Sequence, residues 1–160
     1  GFCKEMMEDA EKKAKNSFLY SLISAMGTAE AGPESLSLNE RFFLAQFDTI
    51  RKIADEGSCV IVGRCADYIL RGIPEATNVF IYAEEQDKIK RAVEEYGGPQ
   101  DAVKKMMKDT DKARANYYAY HTGQKWGEPV NYHLSIDSGY LEIEDIVDLI
   151  IKYTDVKLYR

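Results

Sequence analysis

Gly57-Ser58-Cys59-Val60-Ile61-Val62-Gly63-Arg64-Cys65-Ala66-Asp67 is the stretch whose reading decides the fold. Its centre, Cys59–Val62, is a short apolar run without polar alternation, bounded by Gly57 and Gly63. Such a run predicts a strand covered on both faces, as in a parallel sheet. Two more short strands are expected, at Val79-Phe80-Ile81-Tyr82 and Leu134-Ser135-Ile136-Asp137. Helical patterns surround them. Ser37-Leu38-Asn39-Glu40 has the form of a capping box, and its helix should run to about Glu56 with Leu44, Phe47, Ile50 and Ala54 inward. A short helix is expected from Ala66 to Arg71, and an amphipathic one from Glu85 to about Tyr96, closed by Gly97-Gly98-Pro99. A long charged helix should follow from Gln100 to about Tyr120, and a last one from Leu141 to Tyr153 with Ile143, Ile146, Val147 and Ile150 inward. Strands alternating with helices predict an α/β fold built on a parallel sheet. Three strands are few for so much helix, and a helical pattern (Met7, Ala10, Ala14, Phe18, Leu22) begins almost at Gly1. A further strand is therefore expected ahead of it.

The 160 residues are 45% apolar and 30% charged, which suits one globular domain. No apolar run reaches the roughly 18–20 residues of a membrane span. Cys3, Cys59 and Cys65 form no C-x-x-C pair, so free thiols in a reducing, cytoplasmic compartment are expected. The net charge of −6 argues against general nucleic-acid binding. His121 and His133 are the only histidines and have no third ligand at metal spacing, so no metal site is expected. No G-x-S-x-G, G-x-G-x-x-G or G-x-x-x-x-G-K-[ST] occurs, which leaves a hydrolase triad and a glycine phosphate loop without support in these residues.

In an open parallel sheet ligands gather beyond the carboxyl ends of the strands. There Gly63 allows close backbone approach, Arg64 offers a planar fork for a phosphate or a pyrimidine edge, and Asp67 could orient it. The same residues also read as a plain strand-to-helix turn. Lys108, Asp111 and Arg114, at i, i+3 and i+6, form one slanted stripe that suits a polyphosphate clamp or a solvated helix face. Tyr117, Tyr118, Tyr120 and Trp126 read as packing before they read as a stacking platform.

The Gly57–Leu70 segment resembles the third-strand segment of the cytidylate kinase-like family. So do Asp109-Thr110-Asp111-Lys112-Ala113-Arg114-Ala115-Asn116-Tyr117-Tyr118, Thr122-Gly123-Gln124-Lys125-Trp126-Gly127 and Asn131-Tyr132-His133-Leu134. The family pattern there is approximately D-x-x-R-x-x-Y-Y, T-G-x-x-W-G and N-Y-D-L. The resemblance implies a three-layer P-loop kinase-like α/β fold, one domain over 1–160 with a helical lid at about 100–130, whose first strand and phosphate loop lie before Gly1. It implies transfer of the γ-phosphoryl of ATP, with Mg²⁺, to a nucleoside monophosphate of cytidylate-like type. Arg64 and Asp67 would then line the acceptor pocket, Arg41 would take the acceptor phosphate, and Lys108, Asp111 and Arg114 would be the lid facing Arg64 across a cleft. Val62 and Cys65 stand where better-known cytidylate kinases carry acids, which leaves the acceptor base open. If the molecule begins at Gly1, it lacks the ATP cradle and is expected to be inactive alone. Two other classes stay open: a non-catalytic nucleotide-binding or regulatory module, and a structural α/β interaction domain.

Overall fold

A computed structural model describes residues 37–159, which divide into one compact unit ending at Ile69 and a second from Leu70. The expected helix over Met7–Leu22 lies outside the described residues.

In the first unit, helix α1 spans Leu38–Glu56. The capping box forms: Ser37 N donates to Glu40 Oε2 at 2.7 Å, and Glu40 N donates to Ser37 Oγ at 3.3 Å. Phe43, Leu44, Phe47 and Ile50 recur at helical spacing and are buried. The one-turn helix α2, Ala66–Ile69, packs on α1 and buries Ala66 and Ile69. It is shorter than the expected Ala66–Arg71. Cys59–Val62, expected to be a strand, is not one here. It pairs with no strand among the described residues, and Val60 and Val62 are 93% and 87% exposed. An apolar run becomes a strand only when a neighbour takes up its peptide groups, and none of the described residues does so.

In the second unit, strand β1 (Val79–Tyr82) leads to helices α3 (Glu85–Tyr96) and α4 (Gln100–Thr122). A 3₁₀ turn at Pro129–Asn131, strand β2 (Leu134–Asp137) and helix α5 (Ile143–Leu158) follow. The two strands pair in parallel, as expected, with Val79 opposite Leu134 and Tyr82 opposite Asp137. Both ends of the pair are fastened. At the start, His133 N donates to Asn78 O at 2.8 Å and Asn78 N donates to His133 Nδ1 at 2.9 Å. At the finish, Ser138 N and Oγ donate to Tyr82 O at 2.7 and 3.0 Å, and Arg91 Nη2 donates to Ser138 O at 3.2 Å. These bonds let the Ser138 side chain be buried without an orphaned hydroxyl.

Helix α5 begins two residues later than expected; it contacts β2 and buries Ile146. Of the four residues expected to face inward, Ile143 and Val147 are instead exposed. Periodicity marks every apolar face a helix carries, whereas burial reports only the faces its neighbours cover.

The loop after α4 is tied to β1 by aromatic packing. The Phe80 ring lies 5.5 Å from Trp126 in an edge-on contact and 4.9 Å from Tyr132. Gly127 lies against the same ring: a Cβ there would come within 2.9 Å of Phe80 Cζ, and its φ is +74°. Gly127→Ala is expected to cost about 2–4 kcal/mol, from left-handed strain plus overpacking. Gly123→Ala, at φ +67° with open space around it, should cost only about 1–2 kcal/mol. Urea unfolding of the two variants measures the difference.

The His133 bond to Asn78 requires a neutral imidazole. Burial, and then the Lys157 ammonium, hold its pKa below the usual 6.5. With the folded value depressed, the stability this group contributes is complete above about pH 6.5 and is lost as pH falls through the lower folded value. Melting temperatures from pH 7.5 to 5 should fall more steeply for the wild type than for His133→Asn, which accepts the same bond without titrating.

Candidate functional site

The turn at Gly63-Arg64-Cys65 holds three successive left-handed residues, with φ of 71°, 57° and 57°. Among the described residues only Arg64 and Cys65 adopt positive φ without being glycine, at a cost of about 1–2 kcal/mol each. The turn is closed by Ala66 N donating to Gly63 O at 3.1 Å and Ile69 N donating to Cys65 O at 2.9 Å. Its effect is to bury Cys65 while the Arg64 side chain stays exposed. Burial, reinforced by the charge of Asp67, pushes the Cys65 thiol up to about 11, so it remains protonated and is no nucleophile. Asp67 is half-buried in the first turn of α2. Arg41 lies in the first turn of α1, where its N–H donates to Ser37 O at 3.1 Å. Arg64 therefore follows a segment that pairs with no strand among the described residues, rather than the end of a sheet strand, a correction to the expected setting.

In the second unit, α3 and α4 pack together through a seam of charge. Asp111 takes two cations: Lys88 Nζ at 2.8 Å on Oδ2 and Arg114 Nη1 at 3.2 Å on Oδ1. Lys108 belongs to a separate group, its Nζ 3.4 Å from Glu85 Oε2, while Lys104 Nζ lies 2.8 Å from Glu85 Oε1. The stripe Lys108–Asp111–Arg114 is thus one helix face but two ion-pair clusters. Sequence reasoning missed Glu85 and Lys88, the α3 partners of both. Their signal was present in the i, i+3 spacing of opposite charges on α3, but a helix face does not name the helix it will meet.

The distinctive motif residues have structural work. Tyr118 is buried and its hydroxyl donates to Gln124 Oε1 at 3.2 Å. Thr122 Oγ1 donates to Tyr118 O at 2.6 Å and accepts from Gln124 N at 3.1 Å. Asn131 Nδ2 donates to Lys125 O at 3.3 Å. With Trp126 and Gly127 against Phe80, the T-G-x-x-W-G segment is a fastened joint between α4 and the sheet, and Trp126 serves as packing, as expected. At the carboxyl end of β2, Gly139 N donates to Asp137 Oδ1 at 2.9 Å, and a Cβ on Gly139 would meet Asp87 Oδ2 at 2.7 Å.

Among the described residues no group of three or more His, Cys, Asp or Glu is placed to hold a metal ion, and no helix is long and apolar enough to cross a membrane. The sequence pattern of the cytidylate kinase-like family matches residues 1–140. A crystal structure of an uncharacterised protein from Eubacterium ventriosum ATCC 27560 is similar, at 35% identity and a TM-score of 0.70. The match covers 76% of this chain and 69% of that one. No curated protein matches the chain.

The two thiols described should differ sharply in reactivity. Cys59 is exposed, whereas Cys65 is buried with its pKa raised to about 11. Brief iodoacetamide treatment at pH 7.5, read by peptide mapping, is expected to modify Cys59 at least tenfold faster than Cys65. Equal rates would show that the Gly63–Cys65 turn opens readily.

Proposed function

The chain belongs to the cytidylate kinase-like family, and from that premise we propose that it transfers the γ-phosphoryl group of ATP to a nucleoside monophosphate. The observation that carries the reading is the Arg114 guanidinium held on Asp111, with Asp111 itself anchored by Lys88 of α3. Phosphoryl transfer calls for little covalent work by the protein. It calls for fixed cations around spreading negative charge and for exclusion of water.

In this reading the fold is the three-layer P-loop kinase type, with α4 and the loop after it as the lid. The exposed Arg64 fork takes the acceptor nucleotide and Asp67 orients that fork or accepts from a base amino group. Arg41 receives the acceptor phosphate. Lys108 and Arg114 neutralise the transferring phosphates on closure, and Asp111 is a positioning residue that aims Arg114. Mg²⁺ carried on the phosphates of ATP would neutralise part of their charge. The residues 1–160 contain no glycine phosphate loop, so the reading requires a donor cradle outside them.

The test is steady-state kinetics of the protein from the full reading frame, with ATP and each common nucleoside monophosphate. Arg114→Ala should lower kcat on the order of 10²–10³ with a smaller change in KM, since its contact strengthens as charge develops. Asp111→Asn should cost less, and Arg64→Lys should chiefly raise KM for the acceptor. A kcat within about twofold of wild type for Arg114→Ala would make the stripe a solvated surface.

A further inference from the structure

The Glu85 carboxylate bridges two lysines one helical turn apart, Oε1 to Lys104 Nζ at 2.8 Å and Oε2 to Lys108 Nζ at 3.4 Å. A phosphate group likewise offers separate oxygens to two ammonium groups. The place is also right for a ligand: Glu85 opens α3 three residues beyond Tyr82, the last residue of β1, on the carboxyl side of a parallel pair. All three side chains are about half exposed, so their ion pairs are weak and exchangeable. The Glu85 carboxyl is held below its usual range, first by the hydrogen bond from Lys104, so it stays a full anion at neutral pH. Asp101 adds a second negative charge near Lys104.

From this geometry we infer that Lys104 and Lys108 form a binding subsite for a linear polyphosphate, which Glu85 occupies as a resident counter-anion until the ligand displaces it. The inference rests on the phosphoryl-transfer reading and extends it to Lys104 and Glu85. A polyphosphate carries more charge and more oxygens than one carboxylate, so it can take both lysines in exchange. Glu85 left over would then repel a bound phosphate chain unless its helix turn moves away. On this view Glu85 sets a threshold: mono-anions cannot open the pair, and polyanions can.

Inorganic tripolyphosphate is the probe, titrated calorimetrically into the full protein at low and high salt, without any turnover. Glu85→Gln should bind it about three- to tenfold more tightly than wild type, and 0.5 M salt should remove most of the gain. Glu85→Gln/Lys104→Gln should return to wild-type affinity or below. Glu94→Gln, which changes net charge equally from an exposed position on α3, should show no gain. An unchanged affinity in Glu85→Gln, an equal gain in Glu94→Gln, or a gain that survives loss of Lys104 each overturns the subsite. Thermal melts of every variant identify any that fail to fold, and Lys104→Gln alone then supplies the comparison by its expected loss of affinity. If tripolyphosphate behaves as stated while Arg114→Ala leaves kcat untouched, the subsite stands and the kinase reading falls. If Arg114→Ala loses kcat while Glu85→Gln gains nothing, the reverse holds.

Discussion

The parallel pairing of Val79–Tyr82 with Leu134–Asp137 is the constraint on which the second unit depends. Parallel neighbours cannot be joined by a tight turn, so a long crossover must leave one end of the pair and return to the other. Here the fastening residues Asn78 and His133 stand 55 positions apart, and nearly everything between them is α3, α4 and the loop that follows. Phe80 sits in the middle of this arrangement. Its ring faces Trp126, Gly127 and Tyr132, so the returning chain is docked on the strand it must run beside.

The two crossover helices are joined differently. Few of their residues are fully buried: Ile89 and Ala92 on α3, Val103 and Tyr118 on α4. The remainder of the contact includes half-exposed ion pairs, Lys88–Asp111, Lys104–Glu85 and Lys108–Glu85. Pairs of this kind contribute little each, about 0–1 kcal/mol, and exchange partners readily. A seam with a small apolar core and many solvated charges is one that opens at low cost, whereas the Phe80 joint at the far end of α4 does not. The long helix is therefore anchored at its carboxyl end and held electrostatically nearer its start.

The Gly63–Cys65 turn shows strain placed at one point of the first unit. Two side-chain-bearing residues held at φ 57° persist because Cys65 is drawn into the apolar cluster that also takes Ala66 and Ile69. The same twist leaves Arg64 in solvent. Burying the thiol and freeing the guanidinium are one event, which is why an inert cysteine sits beside a candidate binding arginine.

Local signals in the chain were sufficient for whatever depends on a few neighbouring residues. Ser37 and Glu40 specify their cap, Gly57, Gly97 and Gly123 end their helices, and the apolar runs at Val79–Tyr82 and Leu134–Asp137 become parallel strands. The Asp111–Arg114 pair was legible too, since three residues on a helix are neighbours wherever the helix lies. What needed tertiary structure were the partners from elsewhere in the chain. Lys88 reaches Asp111 across 23 positions, and Glu85, which also holds Lys104, takes Lys108 out of the stripe it was expected to share with Arg114. Cys59–Val62 carries the composition of a strand, yet its Val60 and Val62 are exposed, as are Ile143 and Val147 of α5. Apolar pattern records what a segment can bury, and only the arrangement of other segments around it determines what is buried, which backbone groups are paired and which charge a cation meets.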